Sequence, residues 1–143
     1  DNLLNIVKEA GLDMVQLHGD EDFSYCEMVN KQVPVVKVFR VGSLVPKMDG
    51  FDQVADYFLF DTDSALYGGT GQHFNWEIIK NQIMAKPYFL SGGIGPNDIK
   101  GLEVMQTTKA GKQLWAVDLN SQFETSPGIK DLEKIKTFIH AII

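Results

Sequence analysis

The side chains of this sequence that could do chemistry gather just after its short apolar runs. Gln16-Leu17-His18-Gly19-Asp20-Glu21 closes the first run, and Asp61-Thr62 closes the third and leads to Gly68-Gly69-Thr70-Gly71. Ser91-Gly92-Gly93-Ile94-Gly95 closes the fourth, and Asp118-Leu119-Asn120-Ser121 the fifth. Residues 91–95 have the composition of a phosphate cradle, because glycines let backbone amides approach an anion and a following helix offers its positive N-terminal end. A tight strand-to-helix turn that only needs positive φ angles has the same composition. No Gly-Lys-Ser/Thr follows, so this is not a P-loop, and the spacing is not that of a dinucleotide fingerprint.

Asp61 ends an otherwise apolar run. A carboxyl there is partly desolvated, which raises its pKa and can make it a proton donor; capping a loop is the alternative. Asp118 could orient substrate hydroxyls or cap its own loop. His18 and Gln16 are two residues apart and share one side of a strand; His18 is a candidate pocket residue or a hydrogen-bonded structural one. Gly68, Gly69, Thr70 and Gly71 read as a mobile loop over the site or as a plain connector. Three scattered histidines and one cysteine make no metal site. Cys26 falls on the apolar face of an expected helix and reads as inert core.

The elements that must position these groups are legible as runs. Strands are expected at 14–18, 35–39, 57–61, 88–91 and 114–119, rich in Val, Phe, Tyr and Leu. Helical spacing covers 2–10, stopped by Gly11, and 22–31, with Phe23, Cys26 and Val29 in step. It continues weakly over 42–54, interrupted by Pro46 and Gly50, and over 75–84, with Trp76, Ile79 and Ile83 aligned. The last two helices are 96–106, opened by Pro and Asn-Asp, and 130–143, with Leu132, Ile135, Ile139 and Ile142 on one stripe.

Alternating strands and helices imply parallel strands with crossover connections. Two architectures fit: an open doubly wound sheet of flavodoxin-like size, or part of a (βα)₈ barrel, which needs about 250 residues when complete. In either, the strand C-termini share one face, where the site belongs. The 143 residues read as a single domain with no linker or repeat beyond the βα unit.

Composition narrows the function classes. The formal charge of −6 argues against a nucleic-acid surface, but a small phosphorylated ligand held by backbone amides needs little positive charge. No apolar run approaches the roughly 20 residues that cross a bilayer. The lone cysteine suits a reducing cytoplasm. The sequence starts at Asp1 with no initiator Met, so it is expected to begin partway through a longer protein.

In order and spacing, Val15 to Glu21, Val36-Lys37-Val38-Phe39-Arg40-Val41, Phe58-Leu59-Phe60-Asp61-Thr62, Gly68-Gly69-Thr70-Gly71 with Phe74-Asn75-Trp76, Phe89 to Ile94, Val117 to Ser121 and Pro127-Gly128-Ile129-Lys130-Asp131 resemble phosphoribosylanthranilate isomerases. The resemblance implies a partial (βα)₈ barrel whose five strands are the fourth to eighth. It implies a cofactor-free Amadori rearrangement in tryptophan biosynthesis, with Asp61 as general acid. Gly92, Gly93 and Ser121 would hold the phosphate, and Gln16, His18 and Asp118 would line the pocket. The family's general base is a cysteine in a Lys-Ile-Cys-Gly segment of the first strand. This sequence has no such segment, and Cys26 does not match it. The family commonly reads Asp-Val-Ser-Ser-Gly-Val-Glu after the last strand, where this chain has Asp118-Leu119-Asn120-Ser121-Gln122-Phe123-Glu124. The chain alone is therefore expected to be inactive or nearly so. Its open barrel edges are expected to drive self-association or complementation by another chain. The rival reading is a flavodoxin-like receiver or phosphate-binding module without catalysis; strand order separates the two.

Overall fold

Apolar β-branched and aromatic runs form strands here because one face of the sheet packs against the helices. In the computed structural model, which describes residues 2–63 and 73–142, five parallel strands form one sheet: β1 (Val15–Leu17), β2 (Val35–Val41), β3 (Tyr57–Thr62), β4 (Tyr88–Leu90) and β5 (Leu114–Val117). Their spatial order is β1-β2-β3-β4-β5, each strand beside its sequence neighbour. A doubly wound sheet reverses direction at a switch point. The sequential order excludes that reading.

Period-two alternation divides the core. Val35, Phe39, Phe58, Phe60, Tyr88 and Leu90 face the helices, while Val36, Val38 and Leu59 form a second cluster against Tyr57 and Phe89. The helix side is closed by α1 (Asn2–Ala10), α2 (Phe23–Asn30), α3 (Ile99–Gln106) and α4 (Leu132–Ile142). Gly11, at φ +63°, ends α1 as a left-handed cap. The Asp22 carboxylate caps α2 by accepting from the Tyr25 N–H at 2.8 Å. Cys26 and Val29 of α2 are fully buried, whereas Phe23 stays partly exposed and packs on Phe51. Between β4 and β5 the register slips by one residue, with Tyr88 opposite Leu114 and Phe89 opposite Ala116. Trp115 is the extra residue.

Two expected helices do not form. Across 42–54 only a short 3₁₀ turn appears, Phe51–Gln53, after Gly50 at φ +83°. Pro46 and Gly50 break the segment as their chemistry predicts. Across 75–84 there is again only a 3₁₀ turn, Trp76–Ile78. Trp76 and Ile79 are buried, but the Gln82 N–H bonds back to the Ile79 carbonyl and the chain turns, leaving Ile83 85% exposed and Met84 inside. The helix expected at 96–106 opens with a 3₁₀ turn, Pro96–Asp98, before α3 begins. The last helix starts later than spacing implied, because Ile129–Lys130 pairs with Glu124–Ser126 as a small antiparallel hairpin, β7 with β6. Its main anchor is Phe138, which meets Phe123 edge-on at 5.0 Å; Leu132 and Ile139 remain exposed.

Candidate active site

Each strand releases its last residues at the same rim, so side chains far apart in sequence converge there. Gln16, His18, Asp61, Gly92, Gly93, Asp118 and Ser121 all line one pocket of about 340 Å³. The Gly68-Gly69-Thr70-Gly71 segment lies outside the described residues.

Asp61 is the pocket's central carboxylate. Its Oδ1 accepts from the Thr62 N–H at 2.8 Å, and its Oδ2 stands 3.2 Å from His18 Nε2. The Gln16 amide nitrogen lies 3.1 Å from His18 Nδ1. With the Gln16 amide nitrogen donating to Nδ1, the tautomer that fits carries its proton on Nε2, the nitrogen facing Asp61. Asp61 and His18 thus share a proton-bearing contact at the mouth.

Gly92 and Gly93 adopt φ of +86° and +76°, the left-handed conformation that glycine allows. A side chain at Gly92 has no room: a Cβ there would lie 2.3 Å from Thr62 Oγ1 and 2.7 Å from Asp61 Oδ1. The cradle turn therefore packs directly on the carboxylate. Thr62 ties the two together, donating to the Gly92 carbonyl at 3.1 Å and accepting from the Phe74 N–H at 3.0 Å. Backbone turned this way, ahead of the N-terminal end of a helix, suits an anion. Asp98 already accepts the Gly95 N–H at 2.7 Å, which leaves the earlier part of the turn as the cradle.

Ser91, buried in the floor, donates to Asp118 Oδ2 at 3.0 Å and fixes that carboxylate beside the turn. Beyond β5, Ser121 opens a 3₁₀ turn, and Gln122 lies along Gly95, its Cβ 3.5 Å from where a Gly95 side chain would start. The Gln122 side chain thus reaches the edge of the glycine turn. The sequence marks Gln122 as the departure next to the phosphate site, whereas Thr62 and Ser91 are given no role of their own there. Both could have been singled out, since each is the polar residue that ends an apolar strand at this rim.

Cys26 is no part of the site. It is fully buried in α2 on the helix side of the sheet, and burial, partly offset by the Lys37 charge, pushes its thiol up. Among the described residues no cluster of three His, Cys, Asp or Glu could hold a metal ion, and no helix is long and apolar enough to cross a membrane.

Consecutive parallel strands with carboxylates and a glycine turn on their C-terminal rim define a (βα)-barrel-like α/β protein. The comparisons narrow the class to one family. Residues 1–141 match the family described as N-(5′-phosphoribosyl)anthranilate (PRA) isomerase, and the chain belongs to it. The isomerase of Phocaeicola vulgatus is 37% identical over 146 residues, covering 99% of this chain and 69% of that protein. The crystal structure of the Thermotoga maritima isomerase superposes with a TM-score of 0.76 at 29% identity, covering 99% of this chain and 66% of that one. A structure of a phosphoribosyl anthranilate isomerase in complex with reduced 1-(o-carboxyphenylamino)-1-deoxyribulose 5-phosphate gives a TM-score of 0.65 at 26% identity, covering 99% and 64%. The chain spans about two thirds of the length of these relatives.

Proposed function

We propose that these residues form the fourth to eighth βα units of a (βα)₈-barrel isomerase. Its substrate would be N-(5′-phosphoribosyl)anthranilate and its product 1-(2-carboxyphenylamino)-1-deoxyribulose 5-phosphate, a step of tryptophan biosynthesis in the cytoplasm. One observation carries the reading: the Asp61–His18 pair and the Gly92–Gly93 turn share a single mouth, so a group protonated by the first can be anchored through its phosphate by the second. The relative solved with the reduced deoxyribulose 5-phosphate compound supports a ligand of that type.

In this reading the protonated form of Asp61 gives its proton to the furanose ring oxygen, the C1′–O bond breaks to open the ring to an iminium, and the carboxylate left behind faces His18 Nε2. A base then removes the C2′ proton, and the enolamine tautomerises to the ketone. Gly92, Gly93 and Ser121 hold the phosphate, while Gln16 and Asp118 line the sugar's path. None of the 143 residues matches the family's cysteine base, and Cys26 lies on the wrong side of the sheet. A missing acid or base costs about 10² to 10⁴ in rate, so these residues alone bind but scarcely turn over.

The open edges support a further expectation. β1 and β5 each have one neighbour in the sheet, and the face opposite the helices exposes Trp115 to 58%. Parallel edges and an uncovered apolar face favour association with another chain. Titration with inorganic phosphate, followed by amide NMR, should move Gly92 and Gly93 first. Shifts centred elsewhere, or turnover of these residues alone near that of full-length relatives, would overturn the reading.

A further inference from the structure

Lys37 is a cation in a place that composition would fill with an apolar side chain. It sits on the helix-facing side of β2 between Val35 and Phe39, with its side chain 5% exposed. Its Nζ lies 2.7 Å from Glu21 Oε2, 3.0 Å from the Gly19 carbonyl and 5.9 Å from the centre of the Phe51 ring. Glu21 returns both carboxylate oxygens to the Gly19 N–H, each at 3.0 Å. Gly19 is therefore held at its N–H and its carbonyl by one ion pair. Such buried pairs add little net stability over apolar residues of the same volume, so their placement asks for another explanation.

That explanation lies one residue away. β1 is a three-residue edge strand, and His18 follows its last residue directly. The turn after it is mostly exposed and has little packing of its own. Its backbone is fixed instead from β2: Lys37 and Glu21 hold Gly19, and Arg40 Nη2 donates to the His18 carbonyl at 2.7 Å. From this turn, held over β2, the imidazole reaches Asp61 on β3.

We infer that Lys37 and Glu21 are positioning residues that fix the Gly19 turn and so set the His18–Asp61 contact. The inference rests on the reading of Asp61 as the acid, but its geometry can be tested without turnover.

Two variants release the turn by different routes. The double substitution Lys37→Met with Glu21→Gln removes both charges and leaves neither orphaned. Gly19→Ala keeps the charges but places a Cβ 2.8 Å from Glu21 Oε1, so the flexible carboxylate must swing off the Gly19 N–H. In the wild-type background, Asp61→Asn should displace the His18 ring ¹H and ¹⁵N resonances, because the two groups touch. In both released backgrounds that displacement should vanish, while phosphate still shifts the Gly92 and Gly93 amides. A change confined to fold stability would leave the displacement intact. Equal displacement in all backgrounds, or none in the wild type, overturns the inference. Loss of phosphate shifts in the wild type instead overturns the substrate-site reading alone. If the double variant does not fold, Gly19→Ala decides the matter.

Discussion

His18 and Asp61 meet at 3.2 Å although the strands that deliver them, β1 and β3, are not neighbours; β2 lies between them. The contact therefore reports the curl of the sheet, which brings the ends of alternate strands together over the rim. It also couples three pieces of sequence into one hydrogen-bonded unit. Gln16 meets His18 at Nδ1, His18 Nε2 faces Asp61, and Thr62 ties Asp61 to the glycine turn. A change at the glycine turn should be felt at Asp61.

Gly92→Ala tests that coupling. The new Cβ would lie within 2.3 to 2.7 Å of Thr62 Oγ1, Thr62 N and Asp61 Oδ1, on backbone already at φ +86°. Left-handed strain alone costs about 1–3 kcal/mol for a non-glycine residue. The contacts with backbone add to it. Urea unfolding should show at least that loss, and phosphate shifts at Gly93 should fall together with any resonance marking the Asp61–His18 contact. A variant with wild-type stability and phosphate binding would mean that the turn and carboxylate are not packed as described.

Acid should unfold the protein through a small set of carboxylates. Burial works to raise Glu21, but the Lys37 hydrogen bond, backbone hydrogen bonds including that from Gly19, and the Lys37 charge together carry it below the ordinary glutamate value. Glu124, half-buried, is lowered mainly by its hydrogen bond from Lys130. A carboxylate depressed in the folded state binds fewer protons than in the unfolded state. Its contribution is present above the unfolded value and lost as pH falls through the folded one. Stability should thus stay level from neutral pH down to the ordinary glutamate range and drop below it. Glu21→Gln should flatten that drop more than Glu124→Gln; the reverse order in acid titrations monitored by circular dichroism would count against the Lys37 clamp.

All five strands were legible because each is a short apolar run bounded by polar or glycine-rich turns, and their polar ends marked the rim before any geometry was known. What spacing could not reveal is where tertiary contacts override it. Trp76, Ile79 and Ile83 keep helical intervals, yet the chain turns after Ile79 and Ile83 faces water. The β6–β7 hairpin is too short to show alternation, although Pro127-Gly128 marks its turn and Gly128 takes φ +81°. Lys37 hid in plain sight as the single charge amid Val35-Val36-Lys37-Val38-Phe39, because its partner Glu21 lies 16 residues earlier and only strand pairing brings them together. The roles of Gly92, Gly93 and Asp61 came from the resemblance. Their mutual contact came from the fold.

Tyr88→Phe is expected to stabilise the fold. Tyr88 is fully buried against Phe60, ring to ring at 5.1 Å, and its hydroxyl has no hydrogen-bond partner among the described residues. Burial pushes the phenol well above its ordinary value, so the group stays neutral. A buried hydroxyl without a partner carries a desolvation penalty of about 1–3 kcal/mol. Removing it without changing the ring should raise the unfolding free energy by about 1 kcal/mol, once the small lost volume is counted. Chemical denaturation measures this directly. A loss of stability would mean that the hydroxyl makes a contact that matters.

Trp115 offers the sharpest test of the uncovered sheet face. As the extra residue of the β4–β5 register slip it stands in the sheet's last strand, stacked on Tyr57 at 4.8 Å and edge-on to Phe89 at 5.2 Å, yet it is 58% exposed. Beside it opens an apolar hollow of about 410 Å³ lined by Met14, Val36, Leu59, Phe89 and Ala116. Water covers a tryptophan at a cost, and truncating a central aromatic anchor at an interface typically costs about 2 kcal/mol or more. Sedimentation should therefore show self-association that grows with concentration, and Trp115→Ser should weaken it by roughly thirtyfold. Tryptophan emission should shift to the blue over the same concentration range, since Trp76 is already buried and contributes a constant background. A monomer at every concentration, with Trp115 emission unchanged, would mean that the exposed edges and this face are tolerated in isolation, and that the drive to complete a barrel is weaker than its apolar area implies.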